Sequence, residues 1–227
     1  MENDFQLDGR GNATAATMFL MIHHALRREL GRFPKALDIL DPLDVQQAAL
    51  LAEHWRLFCW VLTDHSENED NVLFPLVLSR AAELAPVLKE IELEHEALDA
   101  QMAAVSEHME NLSTPAAISS ARTASAEFAV SLGRHLDLEE RHIVPTLVER
   151  IEPSELAPGE GENDKEDLDE PPMWLVVTWS EEGVPSEVSK AVVAGLPPHF
   201  QAHMNQVLPE WRAEYQDLIA RIWRGVI

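Results

Sequence analysis

Apolar residues recur at helical spacing through the first 150 residues, in long segments separated by short breaks. The pattern predicts four long helices, at about 13–30, from 44 to beyond 80, at 86–109 and at 115–150. Gly31 and Pro34 are expected to end the first helix, and Pro75 and Pro145 to kink or end the second and fourth. No segment combines sustained alternation with β-branched enrichment. The predicted fold is therefore all-α, an antiparallel up-down four-helix bundle.

The composition changes after residue 151. Residues 152–172 are rich in Glu, Asp, Gly and Pro and lack apolar periodicity, which predicts a solvated acidic linker. Residues 173–227 contain four of the six tryptophans and predict three further helices, at about 173–180, 185–194 and 198–223. We therefore expect a bundle domain at 1–151 and a helical C-terminal extension at 173–227, which is too short for a core of its own and packs on the bundle.

The overall charge of the protein limits the kinds of partner that it can bind. The 227 residues include 40 acidic and 17 basic side chains, a formal net charge of -23. This balance argues against nucleic-acid binding and against docking on anionic membranes. The longest apolar run, at 18–22, is too short to span a bilayer, and the polar, acidic N-terminus does not resemble a signal peptide. We expect a cytoplasmic protein. Its single cysteine, Cys59, excludes an intrachain disulfide and a multi-cysteine zinc site.

An internal repeat contains the candidate chemistry. The segment HSENEDNVLFP at 65–75 matches HLDLEERHIVP at 135–145, and the His, the Glu four residues later, the following acidic residue and the Pro all recur. Upstream, the HHAL that begins at His23 matches the HEAL that begins at His95. Each half of the predicted bundle is therefore a helix with one His followed by a helix with His-x-x-x-Glu.

This spacing has a physical meaning. Residues four apart share one helix face, so a His and a Glu so placed can hold one metal ion, or the Glu can bridge to a second. The resulting set of four imidazoles and two carboxylates is too rich for a single tetrahedral Zn²⁺ and too rich in nitrogen for Ca²⁺ or Mg²⁺. It suits a pair of first-row transition ions. One His-x-x-x-Glu arises often by chance as a solvated surface pair, but chance pairs do not explain two copies with matching flanks.

These segments resemble the hemerythrin-like, or HHE cation-binding, family over about residues 14–151. The resemblance rests on MIHHALRREL, DHSENEDNVLFPL, ELEHEAL and RHLDLEERHIVPTL. It implies a four-helix bundle with a non-haem centre of two iron ions. It further implies four terminal imidazole ligands and two bridging carboxylates, namely His23, His65, His95 and His135 with Glu69 and Glu139. The first helix and the C-terminal extension resemble a bacterial subgroup of the family.

Two departures separate this chain from the oxygen-carrying members. Those proteins have His-x-x-x-His on the third helix, where this chain has Asp99, and His-x-x-x-x-Asp on the fourth, where it has Glu140. Fewer imidazoles imply a different redox potential, which weighs against reversible oxygen transport. The leading hypothesis is a protein that binds a small diatomic ligand or peroxide for sensing, binding or detoxification. The alternatives are a di-iron peroxidase, catalase-like protein or oxidase, an iron-responsive interaction module, and a metal-free bundle. The sequence identifies no protein partner.

Two ligand positions have competing neighbours. His23 and His24 are adjacent and face about 100° apart, so only one points inward, and the match with His95 favours His23. The repeat likewise favours Glu139 over Glu140. Glu140 corresponds to Asp70, and both are expected outside the ligand set.

Ordinary roles are expected for the remaining candidates. His54 either lines an access path to the metals or, as we favour, lies at one end of the bundle, where it bonds to a helix terminus or water. His199 and His203 form an i,i+4 pair with no further ligand apparent nearby. Cys59 lies in an apolar run and is expected to be a small core residue.

Overall fold

The computed structural model describes residues 4–156 and 170–227. Its helices are α1 (Ala15–Ile39), α2 (Val45–Asn68), α3 (Phe74–Arg80), α4 (Ala85–Met109), α5 (Pro115–His142), α6 (Val144–Arg150), α7 (Met173–Glu181), α8 (Ser186–Gly195) and α9 (Pro198–Ile222). A π-helical turn, Glu69–Leu73, joins α2 to α3. No strand occurs in these two ranges, so the predicted all-α class is confirmed. Most of the predicted acidic linker, residues 157–169, lies outside the described residues.

Four arms form the bundle: α1, α2 with α3, α4, and α5 with α6. The α5 helix packs on both α1 and α4, and α2 packs on α4 and α1. Three arms begin at capping side chains that satisfy free backbone amides. Thr14 accepts from the amide of Ala16, and Asp44 accepts from the amide of Gln47 at 3.0 Å. None of the described helices is both long and apolar enough to cross a bilayer.

The predicted end of α1 is wrong. The helix continues through Gly31 and Pro34 to Ile39. Proline inside a helix removes one hydrogen bond and costs about 3 kcal/mol. Phe33 and Leu37, however, are 0% and 1% exposed in the core, and burial of each contributes about 1.5–3 kcal/mol. The continued apolar face therefore outweighs the local helix-breaking signals.

The predicted interruptions at Pro75 and Pro145 are confirmed. The π-helical turn precedes Pro75, and a break at Ile143 separates α5 from α6 just before Pro145. A proline ring clashes with the carbonyl four residues earlier, and an irregular turn relieves that clash. Both interruptions lie between the Glu of a His-x-x-x-Glu segment and the following Pro, so they occupy similar places in the two halves of the bundle.

The core consists of two apolar clusters with a polar layer between them. One cluster is built around the aromatic side chains of Phe33, Trp55, Phe58 and Phe128. The other, towards the opposite end, contains Phe19, Phe74, Ile91 and Leu147. The candidate metal ligands lie along the arms between these clusters, where apolar residues on both sides shield them from bulk water.

The C-terminal extension packs on one side of the bundle. The α7 helix contacts α1 and α9, and α9 contacts α2. Trp179 and Trp223 are fully buried, and the Trp223 ring meets the Phe33 ring at 5.1 Å between centroids. The described part of the extension therefore contributes large aromatic side chains to the main core.

A buried ionic network lies beneath the extension, and it corrects the expectation for His54. The His54 Nε2 atom lies 2.6 Å from a carboxylate oxygen of the fully buried Glu29. Arg28 and Arg32 donate to the other oxygen of Glu29, and both also pair with Glu182 in the α7–α8 connection. His54 therefore bonds to a buried side chain inside the protein, where a helix terminus or water was expected.

Candidate metal centre

The structure brings the six predicted residues together in the polar layer. Each of the four arms contributes one imidazole that points inward, from His23, His65, His95 and His135. The two carboxylates come from Glu69, the first residue of the π-helical turn, and Glu139, one turn after His135 on α5. Both carboxylates and three of the imidazoles are buried, and the fourth, His65, is partly buried.

Each carboxylate faces imidazoles from both halves of the bundle. Glu139 places Oε2 3.4 Å from His23 Nε2, and its Oε1 lies 2.8 Å from His135 Nε2. Glu69 places Oε1 3.5 Å from His65 Nε2 and Oε2 3.5 Å from His95 Nε2. The two oxygens of each carboxylate thus face imidazoles from different halves of the bundle. A carboxylate needs this arrangement to bridge two metal ions.

The ligand atoms form two neighbouring groups. In one group, atoms of His23, His65, Glu69 and Glu139 all lie within 4.8 Å of one another. In the other, atoms of His95, His135 and Glu139 satisfy the same limit. Glu139 belongs to both groups. The described residues therefore form two adjacent groups, each able to hold a cation, with a shared carboxylate.

The hydrogen bonding supports a fit to cations. All four carboxylate oxygens of Glu69 and Glu139, together with Nε2 of His95, are buried and make no hydrogen bond within the described structure. Burying charged oxygens without partners costs several kcal/mol, so such groups normally pair or bind metals. Imidazole nitrogens with carboxylate oxygens form a donor set for first-row transition ions such as iron. The residues present fit a pair of such ions.

The electrostatics of the protein alone point the same way. Burial and the adjacent Glu139 raise the pKa of Glu69 well above its usual range. Burial also opposes ionisation of Glu139, but the contacts with His135 and His95 outweigh it and lower the pKa of that carboxyl. Burial and the neighbouring His23 lower the pKa of His65 to about 3. Metal ligands bind in their deprotonated forms, which the lowered pKa values of Glu139 and His65 already favour, whereas a cation bound here would displace the proton that the raised pKa favours on Glu69.

Three acidic side chains contact the outward nitrogens of the imidazoles. Glu140 Oε1 lies 3.0 Å from His23 Nδ1, and Asp70 Oδ1 lies 3.1 Å from His95 Nδ1. The repeat placed both acids outside the ligand set, and they occupy equivalent positions in the two halves. A carboxylate on Nδ1 fixes the ring orientation and leaves Nε2 free to face a metal.

The third acid, Glu94, is a residue that the sequence analysis missed. Its Oε2 lies 2.9 Å from Nδ1 of His135. The available signal was its place directly before His95, a candidate ligand. His24 lies outside the centre, with its ring 5.6 Å from that of Phe5.

A small cavity opens beside the centre between α2 and α4. Its volume is about 10 Å³, room for one molecule of about the size of water. The lining combines the candidate ligands with apolar side chains and two polar ones, namely Leu62, His65, Ser66, Glu69, His95, Leu98, Asp99, His135 and Leu136. Asp99, noted above only as a departure from the oxygen carriers, is thus part of this cavity.

These observations define a class of protein, a helical bundle with a candidate cation centre of imidazoles and carboxylates. Residues 14–147 match the family model of the hemerythrin HHE cation binding domain. The match covers more than half of the chain, so the protein belongs to this family. No curated protein and no solved structure gives a significant match.

Proposed function

We propose that this protein is a cytoplasmic non-haem di-iron protein that binds a small ligand, O2, NO or peroxide, for sensing, binding or detoxification. The observation that carries the proposal is the pair of buried carboxylates, Glu69 and Glu139, whose opposite oxygens face imidazoles from opposite halves of the bundle. Two iron ions in the ferrous state would supply open coordination positions and electrons to such a ligand.

The protein's own residues determine what reaches the centre. The cavity admits a molecule of about the size of water, and Leu62, Leu98 and Leu136 give it apolar walls. These walls exclude bulk water and larger substrates. Ser66 and Asp99 are polar side chains in the same lining, so they can hydrogen-bond an incoming ligand. The small volume and the polar groups favour a small polar ligand over a larger organic substrate.

The proposal is tested by anaerobic reconstitution with Fe²⁺ followed by exposure to air, azide or peroxide. We expect about two iron ions per chain and absorption bands of an oxo-bridged ferric pair. The double variant His65→Ala/His135→Ala should lose both. The matched control is His199→Ala/His203→Ala, which removes the exposed histidine pair on α9 and should leave iron binding unchanged. Unchanged iron content in the first variant would refute the site.

The same preparation distinguishes the roles. Reversible bleaching of the bands on degassing would identify a carrier or sensor of oxygen. Peroxide turnover faster than that of free iron would identify the enzyme alternative, a di-iron peroxidase or catalase-like protein.

One observation favours a second candidate, an iron-responsive interaction module. The α1 helix carries His23 at the centre and, further along, Arg28 and Arg32, which pair with Glu182 of the C-terminal extension. A change in iron occupancy therefore has a direct route to the extension through one helix. Limited proteolysis with and without Fe²⁺ tests this candidate. Iron-dependent protection of residues 152–172 would support it, and identical cleavage patterns would reject it.

A further inference from the structure

The four candidate imidazole ligands are not equally supported. His23, His95 and His135 each place Nδ1 within 3.2 Å of a carboxylate, from Glu140, Asp70 and Glu94 respectively. Among the residues described, none hydrogen-bonds to Nδ1 of His65. The His65 side chain is also the most exposed of the four, at 11% against 0%, 7% and 4% for His23, His95 and His135.

The difference arises from one position in the repeat. Glu94 directly precedes His95, and the residue that directly precedes His23 is Ile22. The imidazole pairs of the two halves are similarly spaced. The rings of His23 and His65 are 5.1 Å apart between centroids at 86°, and those of His95 and His135 are 4.8 Å apart at 67°. Ile22 therefore stands where the other half has the carboxylate that supports its second imidazole.

Such a carboxylate affects metal binding directly. It fixes the tautomer and orientation of the imidazole and makes Nε2 a stronger donor, and its loss typically costs about 10–100-fold in metal affinity. Both imidazoles of the His95 and His135 group have this support, whereas the group of His23 and His65 has it only at His23.

We infer that the two metal positions are unequal, and that the position completed by His65 is the weaker and more readily exchanged. Glu94 is a positioning residue for the tighter position, because it acts through His135. The inference rests on the proposed function, since it presupposes that two ions bind. It goes further by naming the half of the centre from which metal is lost first.

The first experiment is an anaerobic Fe²⁺ titration against a competing chelator. The wild-type chain should bind in two steps whose dissociation constants differ by at least about tenfold. His65→Ala should abolish the weaker step and preserve the tighter one, and His135→Ala should do the reverse. Two equal steps in the wild-type chain would overturn the inference and leave the proposed function intact. Absence of iron binding would overturn both.

A matched pair of variants adds a carboxylate beside His65 in one case and removes the carboxylate beside His135 in the other. Ile22→Glu supplies the missing carboxylate and should tighten the weaker step by about tenfold, and Glu94→Ile should weaken the tighter step by at least as much. A purely structural role for these positions would change the unfolding temperature and leave the ratio of the two constants unaltered. If Ile22→Glu does not fold, Glu94→Ile decides alone, because the Glu94 side chain is 42% exposed. An unchanged ratio in Glu94→Ile would contradict the inference.

Discussion

Removal of the buried Glu29 carboxylate is a demanding test of how the extension is joined to the bundle. Glu29 is fully buried on α1. It accepts hydrogen bonds from Arg28 Nε at 2.7 Å and Arg32 Nη1 at 3.2 Å, and its other oxygen lies 2.6 Å from His54 Nε2. The variant Glu29→Gln keeps the size of the side chain and removes its charge. The two guanidinium groups then share a single carboxylate, that of Glu182.

The expected loss in the free energy of unfolding depends on which ion pairs remain in Glu29→Gln. Breaking a buried ion pair by removing one partner costs about 3–5 kcal/mol, because the other charge stays buried without compensation. Glu182 still pairs with Arg28 and Arg32, so we expect the lower end, about 3 kcal/mol. For a chain of this size each kcal/mol lowers the unfolding temperature by about 2–4 °C. Glu29→Gln should therefore unfold roughly 6–12 °C below the wild type.

The assay is urea unfolding followed by tryptophan fluorescence, since Trp179 and Trp223 are buried beside this network. The matched control is Asp38→Asn, which removes another carboxylate of α1. Its ion pair with Arg122 is exposed, with side-chain exposures of 59% and 46%, so the loss should be under about 1 kcal/mol. If Glu29→Gln and Asp38→Asn cost the same, the network does not stabilise the protein as argued.

Burial opposes ionisation of Glu29, but the contacts with His54 and the adjacent arginines outweigh it and lower the pKa of this carboxyl below 4.5. The stability advantage of the wild type over Glu29→Gln should therefore be complete above pH 4.5 and decline as pH falls below it, as measured in an acid unfolding series. Burial raises the pKa of the Cys59 thiol to about 11. A thiol reagent at pH 8 should therefore react slowly with Cys59 in the native protein and rapidly in urea. Equal rates would contradict the burial of this thiol. On the proposed function iron binds the folded state, so chelation should lower the unfolding temperature. Free iron at 100 times the dissociation constant of one site should add about 2.7 kcal/mol of stability from that site in calorimetry.

The candidate site was predictable from the sequence because its spacing is local. A His and a Glu four residues apart share a helix face whatever the tertiary fold, and the repeat indicated which of several histidines belonged together. The repeat also favoured Glu139 over Glu140 as the candidate ligand. Glu140 instead contacts the outward nitrogen of His23. The helix interruptions at Pro75 and Pro145 followed from backbone chemistry alone.

Features that depend on distant parts of the chain could not be predicted in this way. Pro34 lies inside α1 because Phe33 and its neighbours pack in a core built from several helices, and no local signal measures that burial. The contact between His54 and Glu29 joins two helices. The support of His135 by Glu94 likewise depends on how α4 and α5 pack, which the pattern of each helix alone does not specify.

The central claim is that the six residues of the candidate centre hold two iron ions, and the most direct test is iron content per folded chain after anaerobic loading and desalting. The wild-type chain should retain about two ions and develop oxo-bridged ferric bands in air. His65→Ala/His135→Ala should retain none, while His199→Ala/His203→Ala should match the wild type. A wild-type chain without stoichiometric iron, or an iron content unaffected by loss of His65 and His135, would contradict the claim.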